Sequence, residues 1–298
     1  MNMTDHQKGI LITAVGVLCI VPDSLFVRLI STDPLSNAFW RALIAGGLVG
    51  IWVFATQPQT PLHTLRHMGA IGWLYCAIIG STAPAFVMAV THTSVANVVF
   101  IFAAMPVFTA FFSWIFLKEP ISRKTALTIL AVMVGLSIIA LGSAQHSEAN
   151  WRGDLWALYI TVSYGLAFTI LRTLKNISMV PAVPIGFLGA ALCLGFISAP
   201  LVGFSENAGL YVLHGVFIAL GTSLMTLGPR YLSAPEVSLL ILLESVLAPI
   251  LVWVTLGEHP GYWAVFGGGI VIGALALSNA VAFKKTQTRH KKARSTNQ

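Results

Sequence analysis

The stretch that decides the fold is Ser94–Glu119, SVANVVFIFAAMPVFTAFFSWIFLKE, because a second version of it stands at Ser233–Glu258, SAPEVSLLILLESVLAPILVWVTLGE. A constant offset of 139 places Ser94 on Ser233, Val98 on Val237, Val107 on Val246, Trp114 on Trp253, Leu117 on Leu256 and Glu119 on Glu258. Each copy runs into a proline-marked turn, Lys118-Glu119-Pro120 in one and Gly257-Glu258-His259-Pro260 in the other, and then into a further apolar run. The apolar part of each copy has the ~20 residues that a helix needs to cross a bilayer core.

Working outward, the whole chain shares this character. Of its 298 residues 56% are hydrophobic and 9% charged, and the mean hydropathy is +0.83. Soluble domains carry roughly 25% charged residues, so this chain cannot cover its own surface with polar side chains, and lipid must solvate it. The bilayer ruler yields ten apolar segments, 8–30, 34–55, 68–91, 94–117, 123–142, 152–174, 182–204, 207–230, 233–256 and 261–283. The connections are short, which predicts antiparallel neighbours. The first segment is longer than a signal-peptide core and lacks a small-residue cleavage pattern, so it reads as a retained span. Cys19, Cys76 and Cys193 all sit inside apolar runs and are expected to pack, with no disulfide and no metal site.

Lysine and arginine set the orientation, since basic loops stay cytoplasmic. With ten spans both termini share a side. That side holds Lys8, Arg66, Lys118, Arg123, Lys124, Arg172, Lys175, Arg230 and the six basic residues of the tail 284–298, fourteen in all. The opposite side holds Arg28 and Arg152, and Arg41 lies within a span. Both termini are therefore expected in the cytoplasm. The net charge of +7 is read as topology plus contact with anionic headgroups, and no nucleic-acid partner is expected.

Five spans per half would set the two copies upside-down to each other. The expected fold is an all-α membrane protein, ten transmembrane helices arranged as two inverted five-helix repeats around a central cavity. The first repeat is residues 1–143, the second 144–283, and a basic cytoplasmic tail follows at 284–298. Inverted repeats with a site between them are the architecture of secondary transporters.

The residues Ser94-Val-Ala-Asn97, Met105-Pro106-Val107, Trp114 and Leu117-Lys-Glu119 resemble the recurring signature of EamA-type permeases of the drug/metabolite transporter superfamily. Glu244-Ser245-Val246, Trp253 and Leu256-Gly-Glu258 are similar, with Ser245 standing where the first copy has Pro106 and with Pro249 one turn later. The resemblance covers nearly the whole chain. It implies a ten-helix fold whose cavity is lined mainly by the first, third, fourth, sixth, eighth and ninth helices, and export or uptake of small metabolites, amino acids among them.

Ionisable groups at membrane depth cost roughly 2.5–3.5 kcal/mol each on insertion scales and need a partner, a cavity or a function. Asp23, Arg41, His214 and Glu244 stand out. At ~1.5 Å per residue Asp23 lies about 22 Å from the inner face and Arg41 about 10 Å below the outer face. In a core of ~30 Å these depths nearly coincide, so the two are expected to pair, either as a structural tie between helices or as a docking point for a zwitterion. Pro22 removes a helix donor just before Asp23. Glu244 falls near the midplane, a candidate proton carrier or amine-binding group, or a neutral acid bonded to a neighbouring helix. His214 lies about 10 Å below the outer face, as packing or as a titrating group. Trp40, Asn97 and Tyr164, with Tyr75, Tyr159, Ser163, Ser81 and Thr82, are candidates for an amphipathic cavity wall. Glu119 and Glu258 are expected to cap or pair at helix ends, and Glu236 to be solvated. Trp151, Trp156 and Trp263 fit an interfacial belt. Gly46, Gly47, Gly267, Gly268, Gly269 and Gly273 permit close helix approach, and the last helix a homodimer.

The leading functional expectation is a secondary transporter in a bacterial-type inner membrane, exporting amino acids or related amines, with proton coupling through Glu244 or Asp23. The alternative within the class is an uptake permease for a metabolite or nucleotide-like solute. HExxH, GxSxG, Walker A and DxxD motifs are absent from the sequence, which weighs against a membrane-embedded enzyme and an ATP-driven pump. No cofactor is expected. A channel would show conductance without saturable counterflow.

Overall fold

A computed structural model of the chain describes residues 4–56, 60–118, 123–145, 151–274 and 277. Among these every regular element is helical. In chain order they are α1 (Asp5–Ile20), α2 (Asp23–Leu29), α3 (Pro34–Thr56), α4 (Thr60–His67), α5 (Gly69–His92), α6 (Val95–Phe102) and α7 (Met105–Leu117). Then follow α8 (Arg123–Gln145), α9 (Trp151–Thr173), α10 (Ala182–Ile197), α11 (Phe204–Leu227), α12 (Ala234–Leu240), α13 (Leu242–Leu256) and α14 (Tyr262–Ala274). Among the described residues seven stretches are long and apolar enough to cross a membrane: Asp5–Leu29, Pro34–Thr56, Gly69–His92, Val95–Leu117, Trp151–Thr173, Phe204–Arg230 and Ala234–Leu256. The other three expected spans coincide with shorter apolar helices, Leu127–Gly142, Ala182–Ile197 and Tyr262–Ala274.

Local sequence sets where these helices start and break. Thr4 and Gln7 close a capping box on α1, and Asp33 Oδ2 accepts from Ser36 N at the head of α3. Ser94 caps α6 and Ser233 caps α12, so the repeated serine does the same local work in both copies. Both copies then break. The first breaks at Ala103–Ala104, just before Pro106, and the second at Ile241, although Ser245 stands in place of the proline. Each copy ends at a residue in the left-handed region, Lys118 at φ 56° and Gly257 at φ 72°. The first span breaks as well, at Val21–Pro22.

The main packing crosses between the two halves of the chain: α3 against α10 and α11, α5 against α9 and α10, and α1 against α11. Close approach depends on glycine. A Cβ on Gly80 of α5 would lie 2.6 Å from the Gly186 carbonyl oxygen of α10. Gly267 and Gly268 are taken up inside the chain, facing Gly135 and Phe100. The outer faces are apolar, with Ile51, Phe54, Phe196 and Val254 exposed, as a lipid-facing surface requires. Trp151, Trp156 and Trp263 are exposed near helix starts. Cys19, Cys76 and Cys193 are free thiols. Glu119 and the tail 284–298 lie outside the described residues.

Candidate functional site

Three helix breaks converge on one cavity. Asp23 is the first residue of α2, Met105 the first of α7, and Glu244 stands in the first turn of α13. The positive end of a helix dipole favours a carboxylate at such a place. The cavity holds about 630 Å³ of atom-free space. It is narrow, with room for only a few waters. Its wall comes from α1–α2, α5, α6–α7, α9, α11 and the α12–α13 break, the six spans that the sequence resemblance implies, with Arg41 added from α3.

At the centre is a buried charge cluster. The Arg41 guanidinium donates from Nε to Asp23 Oδ1 at 3.1 Å and from its second nitrogen to Oδ2 at 2.5 Å, a two-pronged pair with both side chains almost fully buried. Such a fork is the strong geometry for arginine and carboxylate. His214 Nε2 lies 2.6 Å from Asp23 Oδ1, and its ring stacks on Phe26 with centroids 5.2 Å apart. His214 Nδ1 is buried with no hydrogen-bond partner among the described residues. A neutral ring that donates from Nε2 to Asp23 leaves only a lone pair uncompensated there, whereas a charged ring would leave a buried N–H unpaired. Phe86 lies under Arg41 at 5.2 Å.

Glu244 lines the same cavity at 6% exposure. No hydrogen bond or ion pair joins its carboxylate to any described residue. Tyr164 is also in the wall, as is Tyr75, whose hydroxyl meets Thr226 Oγ1 at 2.9 Å.

Of the expected wall residues only Tyr75 and Tyr164 line this cavity; Trp40, Asn97, Ser81, Thr82, Tyr159 and Ser163 are not among the residues that line it. Trp40 donates to the Pro200 carbonyl at 2.7 Å and packs at a tilt against Phe204 and Tyr211 in a separate aromatic cluster. Asn97 belongs to a polar network at the end of the bundle remote from Asp5. There its Nδ2 donates to Thr93 Oγ1 at 3.1 Å and to Asp154 Oδ1 at 3.3 Å, and Thr93 Oγ1 donates to Asp154 at 2.9 Å. Arg28 donates to the Thr93 carbonyl at 3.0 Å and pairs with Glu258, Nε to Oε2, at 2.9 Å. Glu258 Oε1 also accepts from Val95 N at 2.8 Å. Glu258 thus pairs at a helix end as expected, and its partner lies in the opposite half of the chain. At the other end Arg172 donates to the Pro229 carbonyl at 3.1 Å. Glu236 is not simply solvated: it accepts from Ser233 N and Oγ, at 2.8 and 2.7 Å, in a capping box.

Asp154 and the Arg28–Glu258 pair escaped the sequence reading. The signal for Asp154 was a lone acid one turn inside an apolar run. A wider groove of about 1330 Å³, lined by apolar side chains of α5, α9 and α10, opens sideways, and near it Ser81 Oγ meets Tyr159 OH at 2.6 Å. No charged side chain lines it among the described residues, and it reads as lipid-facing.

The model of the EamA-like transporter family matches the chain over residues 7–141 and again over 151–280. The chain is similar to the uncharacterized transporter sll1164 of Synechocystis sp., 22% identical over 273 residues that cover 83% of this chain and 76% of that protein. It is also similar to the uncharacterized transporter YdfC of Bacillus subtilis, 23% identical over 266 residues that cover 82% and 81%. One solved crystal structure superposes with a TM-score of 0.69 at 15% identity, covering 93% of this chain and 98% of that one, which speaks for the fold alone. With a family model spanning both halves and a charge-lined cavity between them, the chain belongs to the EamA-like transporter family.

Proposed function

We propose that this membrane transporter is a secondary transporter of ten helices, two inverted repeats of residues 1–143 and 144–283, that exports amino acids or related amines by alternating access. The observation that carries the reading is the cluster of Asp23, Arg41 and Glu244 on one narrow cavity at the seam between the halves. Three ionisable groups at that depth cost too much to serve only as packing.

The packing supports the inversion. Counted by span, the contact of α3 with α11 is the second on the eighth, and α10 with α5 is the seventh on the third. The contact of α1 with α11 and that of α9 with α5 exchange in the same way. The ends of α2 and α13 meet the start of α9 through Arg28, Glu258, Thr93 and Asp154, as antiparallel first and sixth spans require. The two matches of the family model support the same division.

That network also bolts one end of the bundle, while the cavity wall runs from Asp23 toward Leu171 and Thr226 at the other. This supports an inward-facing, nearly closed state, with the termini in the cytoplasm of a bacterial cell and the bolted end outside. Glu244 and Asp23 are the groups that would carry a coupled proton. A last-helix homodimer, if formed, would use Gly269 and Gly273, which face open space.

The test is counterflow in proteoliposomes preloaded with a pool of amino acids and amines. Saturable exchange of at least one of these solutes is the expected result. Ion conductance without counterflow would replace the transporter by a channel, and exchange confined to nucleotide-like solutes would favour the uptake reading.

A further inference from the structure

The charge balance of the cavity narrows the substrate. Among the described residues Arg41 is the one cationic side chain in the cavity wall, and both prongs it directs at Asp23 are used. His214 is turned to the same carboxylate and is fully buried behind it. Asp23 and Arg41 therefore cancel, and a ligand carboxylate would find no free cation to meet. Glu244 is the opposite case: 94% removed from solvent, in the cavity wall, and with no hydrogen bond or ion pair to any described residue. A buried carboxylate in that condition needs a cation or a proton. The rest of the wall is aromatic and hydroxylic: Tyr164, Phe168 and Phe102 offer ring faces, and Thr222 a hydroxyl. Ring faces attract an organic cation, and hydroxyls orient its polar groups.

From this we infer that the cavity selects a monocationic organic amine without a free carboxylate, its ammonium group seated on Glu244, over the zwitterionic amino acid bearing the same side chain. The inference rests on the transporter reading and narrows it. A zwitterion would bring its own carboxylate beside Glu244 and Asp23 with Arg41 already spent, and like charges at that depth are repelled in a poorly screened setting. Admission of the amine requires the narrow space to widen, which the breaks at Val21–Pro22 and Ile241 permit without unwinding a continuous helix.

The test is counterflow with matched pairs, tyramine against tyrosine and tryptamine against tryptophan, with tyrosine methyl ester as a cation that keeps the amino-acid frame but masks its carboxylate. Wild type is expected to exchange each amine and the ester at least tenfold faster than the parent amino acid. Glu244→Gln is expected to lose amine exchange while eluting as folded protein, and Glu244→Asp, which keeps the charge, to retain the preference. Amino acids exchanged as well as their amines would overturn the inference and leave the transporter reading standing. So would amine exchange unchanged in Glu244→Gln. No exchange of any amino acid or amine by folded wild type would defeat the transporter reading and the inference with it.

Discussion

The two copies of the deciding stretch, Ser94–Lys118 and Ser233–Gly257, share a backbone plan and differ in chemistry. Each starts at a serine N-cap, breaks after its first short helix and stops at a left-handed residue 139 positions from its counterpart. At the break the same position is Met105 in one copy and Glu244 in the other, and both face the central cavity. The next position is Pro106 in one and Ser245 in the other. Ser245 spends its hydroxyl on the Val99 carbonyl of the first copy at 2.7 Å, so the seam between the copies is closed by a bond that proline could not make. Duplication thus fixes the scaffold, and departures from it place the charge. A perfectly symmetric pair would offer two methionines or two carboxylates to the cavity. The observed pair offers one of each.

The largest effect should come from the cluster that neither copy contains. Asp23→Leu or Arg41→Leu alone leaves a buried charge without its partner, and each is expected to cost about 3–5 kcal/mol, as removal of one member of a buried pair does. Thermal unfolding in detergent would measure this, and a reversed pair, Asp23→Arg with Arg41→Asp, should recover part of the loss. If the single variants unfold like wild type, the buried pair does not hold α2 to α3.

Making the copies alike is the next test. Glu244→Met should leave stability unchanged or slightly higher, because an unpartnered carboxylate is removed, while lowering counterflow at least tenfold; Met105→Glu in that background should not restore it. Transport retained in Glu244→Met would show that the asymmetry is incidental. Gly257→Ala forces a side chain into the left-handed region and is expected to cost about 1–2 kcal/mol, whereas Lys118→Gly should raise stability by a comparable or smaller amount, read as a shift in unfolding temperature. Ser245→Ala removes one seam hydrogen bond and should cost about 1 kcal/mol by the same measurement. The smallest stability effect belongs to the bolted end: Arg28 and Glu258 are about a quarter exposed, and Glu258→Gln should cost no more than about 1 kcal/mol. Its reading is access instead. A cysteine placed at Val95 should react faster with an impermeant thiol reagent in the Glu258→Gln protein than in wild type, both in the background with Cys19, Cys76 and Cys193 changed to serine.

Particular residues show where sequence reading reached and where it stopped. Depth counted along a span predicted that Asp23 and Arg41 would meet, and they do. The same ruler put His214 seven residues into its span, level with Arg41, yet its bond to Asp23 was not foreseen. A ruler along the helix gives height and not the direction in which a side chain points. For the same reason Trp40, one residue from Arg41, was grouped with the cavity and instead faces Phe204 and Pro200. Asn97 was grouped there too and sits in the network with Thr93 and Asp154. Arg28 and Glu258 are 230 positions apart, and no local pattern links them.

What the sequence determined by itself is the membrane setting, the duplication and the approximate extent of each span, because these follow from local hydrophobicity; the break at Ile241, where Ser245 replaces the proline of the first copy, was not legible there. Only the tertiary structure decided that Glu244 shares the cavity with the Asp23–Arg41 pair without a hydrogen bond or ion pair of its own, that His214 joins Asp23, and that Arg28 meets Glu258 at one end of the bundle. Those outcomes depend on the rotation of each helix about its axis and on contacts between residues more than a hundred positions apart, and hydrophobic pattern constrains neither.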